Sequence, residues 1–149
     1  MPRKAAWDVL QAVSAGAYAD VALNRSIKKY SLIGLDRALA TELAYGSIRN
    51  RYVLDGWIDY LGKVPARKQP PLLRWLFHVG LYQILYMRKV PVSASINTTV
   101  ELAKSSQLYR LTSVVNGLLR SVNRNLMVGN SPPIPANTSN RLSLENSLP

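Results

Sequence analysis

The segment from Leu72 to about Arg88 constrains this chain more than any other. Leu72, Leu73, Leu76, Phe77, Leu81, Ile84 and Leu85 recur at helical spacing along one side, and Trp75, Val79, Tyr82 and Tyr86 cover much of another. A helix apolar around so much of its circumference has to be surrounded by protein. Its uncharged run, Trp75 to Met87, includes His78 and Gln83 and is too short to cross a bilayer. The rest of the chain is therefore expected to wrap this helix, and a hydrophobic content of 48% supplies the core. A length of 149 residues suits one domain plus a tail.

The flanking sequence is also helical in period. Ala5, Ala6, Val9, Leu10 and Val13 predict a first helix, stopped by Gly16. A second is expected from Asp20, as N-cap, to about Tyr30, and a third from an Asp36 cap, with Leu39, Leu43 and Tyr45 facing inward. Gly46 interrupts that third pattern at a cost of roughly 1 kcal/mol against Ala, which points to close approach by another backbone. The helix continues or restarts through Tyr52 to Leu61, and Gly62 to Pro71 is a loop with three prolines and three basic residues. Pro91 opens a further helix with Val92, Ile96, Val100 and Ala103 on its core side. A last helix carries Val114, Val115, Leu118, Leu119, Val122 and Leu126. No stretch alternates with period two between hairpin turns. The expected fold class is all-α, a bundle of six or seven helices over residues 3–128, followed by an extended Pro-rich linker or tail over 129–149.

Charge is unevenly distributed. Residues 1–60 hold eight Lys/Arg and six Asp/Glu, residues 61–130 hold ten Lys/Arg against Glu101 alone, and residues 131–149 sum to zero. A net charge of +11 gathered in this way favours phosphate-bearing partners through counterion release. With no cysteine, the chain has no disulfide, no thiolate nucleophile and no cysteine zinc site. Asp8 breaks up any signal-peptide core, so a soluble, cytoplasmic protein with no membrane contact is expected, and the glycosylation patterns at Asn97 and Asn137 carry no weight.

Several phrases occur in order: Asp36-Arg37-Ala38-Leu39-Ala40, Glu42-Leu43-Ala44-Tyr45-Gly46-Ser47-Ile48-Arg49, Leu81-Tyr82-Gln83-Ile84-Leu85-Tyr86, Val90-Pro91, Val100-Glu101-Leu102-Ala103-Lys104 and Val115-Asn116-Gly117-Leu118-Leu119-Arg120. The series resembles the NusB-like domain over about residues 3–126. Within that family it is most similar to the N-terminal domain of the RsmB/Sun/Fmu small-subunit rRNA cytosine-5 methyltransferases. Ser147-Leu148-Pro149 resembles the step that precedes the methyltransferase half in that family, so the chain is expected to be a piece of a longer protein. Ser93, Thr98 and Gly117 depart from the family's usual histidine, glutamate and alanine. The resemblance implies a non-catalytic RNA-binding domain that docks an S-adenosylmethionine-dependent enzyme on small-subunit rRNA and packs on its methyltransferase domain. The same fold also serves stand-alone NusB-type antitermination factors, which bind single-stranded RNA and a ribosomal protein. NusB-type domains can form homodimers, and no pattern here decides the oligomeric state.

The chain's own chemistry agrees with a binding role. Cytosine-5 methylation needs a cysteine thiolate, which is missing, and no glycine-rich nucleotide turn follows a strand, so no cofactor site is expected. His78 reads as a core or helix-surface histidine, and Asp55 and Asp59 as a solvated face or as partners of Arg51. Three basic clusters are candidate RNA contacts. The first joins Arg3 and Lys4 to Arg25, Lys28 and Lys29 if the first two helices pack antiparallel, and the resemblance favours it. The second is the loop Lys63, Arg67 and Lys68, with Arg74 beside it. The third is the stripe Asn116, Arg120, Asn123 and Arg124. Each could equally be a solvated surface. Arg37 is expected to pair with Glu42 or Asp8, Arg49 and Asn116 to be structural, and Trp7, Trp57 and Trp75 to be core, whereas Tyr18 suits the surface. A third reading is a helical protein-interaction module whose charge is incidental, which would show little salt dependence in RNA binding.

Overall fold

The computed structural model describes residues 1–133. Seven α-helices occupy them: α1 (Pro2–Ser14), α2 (Ala19–Lys29), α3 (Gly34–Arg49), α4 (Arg51–Leu61), α5 (Pro71–Tyr86), α6 (Val92–Lys104) and α7 (Thr112–Met127). Two short 3₁₀ turns, Ala66–Lys68 and Tyr109–Leu111, lie in the connections, and the described residues contain no strand. The expected tail is described only through Pro133. Asn137 and the Ser147-Leu148-Pro149 step lie outside the described residues.

As its composition requires, α5 is central. Leu73, Leu76, Phe77, His78, Val79, Gly80, Leu81, Tyr82 and Gln83 are all buried, and the helix packs against α1, α3, α4, α6 and α7. Around it α1 packs chiefly on α2, α3 and α5, while α7 packs chiefly on α4, α5 and α6. Gly80 marks the closest approach on the α6–α7 side. A Cβ there would stand 2.9 Å from Leu119 Cδ1 and 3.1 Å from Thr99 Cγ2.

Helix ends follow backbone geometry more than side-chain caps. α1 stops in a Schellman motif: Gly16, at φ +108°, donates its N–H to Val13 O, and Ala17 N–H reaches Ala12 O at 3.0 Å. α2 stops the same way with Ser31 at φ 51°, where Ser31 N–H bonds Lys28 O and Leu32 N–H bonds Ile27 O. The two expected aspartate caps are displaced. α2 begins at Ala19 after Tyr18, and α3 begins at Gly34 after Ile33. Asp20 and Asp36 therefore sit within first turns, where a carboxylate favours the positive end of the helix dipole.

Two other expectations are corrected. Tyr45 is exposed, because the buried side of α3 runs through Ala40, Leu43, Ala44 and Ser47. Gly46 admits the ring of Tyr82 from α5 and not a helix backbone, and any Cβ at this position would collide with that ring. The pattern from Asp36 to Leu61 is two helices. The second begins afresh after Asn50, whose backbone N–H and side-chain amide both donate to Gly46 O, at 2.9 and 2.7 Å. On α7, Val114 and Leu126 are exposed while Val115, Leu118, Leu119 and Val122 are buried.

Candidate nucleic-acid interface

The polar groups nearest the core determine which cations remain available. Asp55 on α4 holds two partners from α5. Arg74 Nε donates to its Oδ1 at 3.0 Å, and His78 Nε2 donates to the same oxygen at 2.8 Å. A second guanidinium nitrogen, Arg74 Nη2, bonds Oδ2 and makes the pair bidentate. Burial alone would raise the Asp55 pKa, but the hydrogen bonds from His78 and Arg74 outweigh it and hold the carboxyl below its ordinary value. His78 is fully enclosed. Burial pushes its pKa below the usual imidazole value against the pull of Asp55, so its contact is that of a neutral donor. The ring of Trp75 stands edge-on to His78 at 5.2 Å. Asp55 is thus a structural anchor and neither a solvated residue nor a partner of Arg51, and Arg74 is withdrawn from the second basic cluster. Asp59 also has a structural partner: it accepts the Ala66 N–H at 2.7 Å and pins the basic loop.

The first cluster is assembled by the antiparallel packing of α1 and α2. Lys29 Nζ lies 3.9 Å from Asp8, and Tyr30 donates its hydroxyl to the same carboxylate. Burial, reinforced by Asp8, pushes the Tyr30 hydroxyl up to about 12. A groove of about 220 Å³ runs beside Asp8, Arg25, Ser26 and Lys29. Lys4, one turn before Asp8, leans over the Trp7 ring at 5.6 Å and lines a second groove with Arg3, so the two grooves follow in succession along α1. Arg25, Lys28 and Lys29 are exposed. Arg3 is half-buried, and its Nε donates to Gln83 Oε1 on α5 at 2.8 Å. Burial lowers its pKa while Asp36 opposes the shift, which makes Arg3 partly a structural residue.

The second cluster keeps Lys63, Arg67 and Lys68, all exposed on the loop that Asp59 and the Gln69–Val64 hydrogen bond hold in place. In the third, Arg120 and Arg124 are exposed on α7, and Arg120 Nε donates to Asn116 Oδ1 at 2.9 Å. Asn116 therefore positions an arginine. α1, which carries part of the first cluster, and α7, which carries the third, each pack on the buried α5.

Arg37 is exposed and, among the described residues, has no carboxylate within ion-pair distance. Asp8 is engaged by Tyr30, and Glu42 accepts from Tyr82 at 3.3 Å, so the expected pairing is absent. Arg49 lies beside the Tyr82 hydroxyl, whose pKa is raised by burial and by Glu42. Trp7 and Trp57 are core residues, Trp75 is partly buried, and Tyr18 is 80% exposed. Two features escaped sequence reasoning. One is the Asp55–Arg74–His78 network, whose signal was the four-residue spacing of Arg74 and His78 beside the single acid on the inner side of α4. The other is the pairing of Arg3 with Gln83, which are 80 residues apart and share no local signal.

Seven helices, one of them buried among the others, with cations arrayed on the outside, define an all-α domain. The model of the NusB family matches residues 1–124, and the chain belongs to that family. It is 47% identical over 108 residues to a probable ribosomal RNA small subunit methyltransferase B of Synechocystis, covering 72% of this chain and 24% of the relative. It is 36% identical over 108 residues to the corresponding probable enzyme of Bacillus subtilis, with the same two coverages. It is 32% identical over 123 residues to ribosomal RNA small subunit methyltransferase B of Shewanella oneidensis, covering 83% of this chain and 28% of the relative. The chain spans about a quarter of the length of these relatives. No helix among the described residues is long and apolar enough to cross a membrane.

Proposed function

We propose that this chain is the non-catalytic RNA-binding domain of a small-subunit rRNA cytosine-5 methyltransferase, docking the enzyme on rRNA through the α1–α2 face. The observation that carries this reading is the match of a cysteine-free, strongly basic domain to about a quarter of the length of proteins named rRNA methyltransferases. A separate methyltransferase domain supplies the nucleophile and binds the methyl donor, and residues 129–149 connect the two. Arg25, Lys28 and Lys29 meet phosphates, with Lys4 extending the contact along α1. The loop cations Lys63, Arg67 and Lys68 and the α7 pair Arg120 and Arg124 supply further phosphate contacts or face the catalytic domain. The relatives' names favour this role over that of a stand-alone antitermination factor.

The test is a salt titration of binding to single-stranded RNA. Neutralising about six phosphates gives a slope of roughly −4 in log K against log salt. A flat response would remove RNA from the reading and leave a protein-interaction module.

A further inference from the structure

The groove at the start of α1 has a composition that phosphate binding alone does not explain. It encloses about 350 Å³, with Arg3 and Lys4 on one wall and Asn97, Thr98, Glu101 and Leu102 of α6 on the other. Glu101 is the one acid among residues 61–130, against ten Lys/Arg. It is exposed in the last turn of α6, where the helix dipole disfavours a carboxylate. Among the described residues no cation comes within 4.0 Å of it. Lys4 rests over Trp7, the Arg3 Nε is held by Gln83, and Lys104 one turn on does not reach it. Asn97, one turn earlier on the same face, is exposed and its amide has no partner among the described residues. The Thr98 hydroxyl donates to Ala94 O at 2.8 Å, which leaves its oxygen free to accept.

An unpaired carboxylate opposite two cations suits a ligand that carries an anion at one end and parallel N–H donors at the other. Among nucleobases, guanine alone presents adjacent N1–H and N2–H donors that both oxygens of a carboxylate can accept. Adenine offers an acceptor at N1. Uracil flanks its single N–H with two carbonyls that would repel the carboxylate, and cytosine sets an acceptor beside its amino group. The space lies within the range of small-ligand sites. We propose that this groove seats one unpaired guanosine of a single-stranded RNA, with Glu101 on the N1–H and N2–H edge, Asn97 on a neighbouring base atom, Leu102 as the apolar floor, and Lys4 and the free Nη groups of Arg3 on the phosphate. The inference rests on the RNA-binding reading and adds base selectivity to it.

The experiment is fluorescence anisotropy of the full chain with four labelled decamers: all-uridine, or uridine with one central guanosine, adenosine or inosine. Inosine keeps N1–H and lacks the exocyclic amine. The guanosine decamer should bind about tenfold tighter than the adenosine decamer, as expected for one bidentate base contact, with inosine between them. In Glu101→Gln the guanosine-to-adenosine ratio should fall to about one, and the variant should melt like the parent because the Glu101 side chain makes no internal bond. Equal affinity of the parent for all four decamers overturns the groove assignment and leaves RNA binding intact. A guanosine preference that survives in Glu101→Gln also overturns it. No binding to any decamer overturns both readings.

Discussion

The cations around Asp55 and those around Asp8 look alike in sequence, a basic residue or two near an aspartate on a helix, yet they do different work. Asp55 and Arg74 have side chains only 19% and 26% exposed, and the pair is bidentate with a neutral histidine on the same carboxylate. At Asp8 the carboxylate is 25% exposed, but Lys29 is 66% exposed and 3.9 Å away. The first arrangement fixes α4 on α5. The second leaves an ammonium free to leave its partner for a phosphate. Formal charge therefore overstates the cations on offer: Arg74 is locked and Arg3 is half-locked by Gln83.

The difference predicts a hierarchy of effects. Phe77, 1% exposed at the centre of α5, should cost roughly 3–5 kcal/mol of stability when changed to alanine, measured by urea unfolding; native stability in that variant would refute the central role of α5. Asp55→Asn leaves Arg74 and His78 without their acceptor. It should cost about 2–3 kcal/mol, below the roughly 3–5 of a fully buried pair because solvent still reaches both groups. The same network sets a pH signature. The pKa values of both His78 and Asp55 are depressed in the fold, so the unfolded chain takes up protons first and stability falls on acidification. The loss begins as pH drops below the ordinary histidine value and continues through the carboxylate range. Unfolding free energy measured by urea titration at successive pH values should therefore fall from pH 7 to pH 3, and a flat profile would contradict the neutral, buried state of His78.

Lys28→Gln with Lys29→Gln should behave in the opposite way. RNA affinity should drop about tenfold and the salt slope should flatten by about 1 to 2, while the melting temperature stays put. If melting falls and affinity holds, the Asp8 side is structural too and the contrast collapses. The smallest effect concerns Gly117, where an added Cβ would meet nothing within 4 Å. Gly117→Ala should raise stability by about 1 kcal/mol through helix propensity alone, visible as a higher melting temperature.

How much of this was legible follows from the range of each interaction. The periodic apolar run of α5 announced its burial because a helix must hide such a surface whatever packs on it. The helix stop at Gly16 was local in the same way, since φ +108° is a glycine conformation. The break at Asn50 was not, because it falls at a single asparagine within one continuous helical pattern, between Arg49 and Arg51. Gly46 was read as a close contact, but sequence could not say that Tyr82 fills it, since that depends on how α3 crosses α5. The basic clusters were legible as charge. Which cations are already bound was not, because Asp55–His78 and Arg3–Gln83 join residues 23 and 80 positions apart.

The most direct measurement is hydrogen–deuterium exchange of the full chain with and without a single-stranded RNA at low salt. Docking through the α1–α2 face predicts the strongest protection over residues 1–12 and 24–31. Protection confined to residues 112–127, or none at saturating RNA, would contradict it.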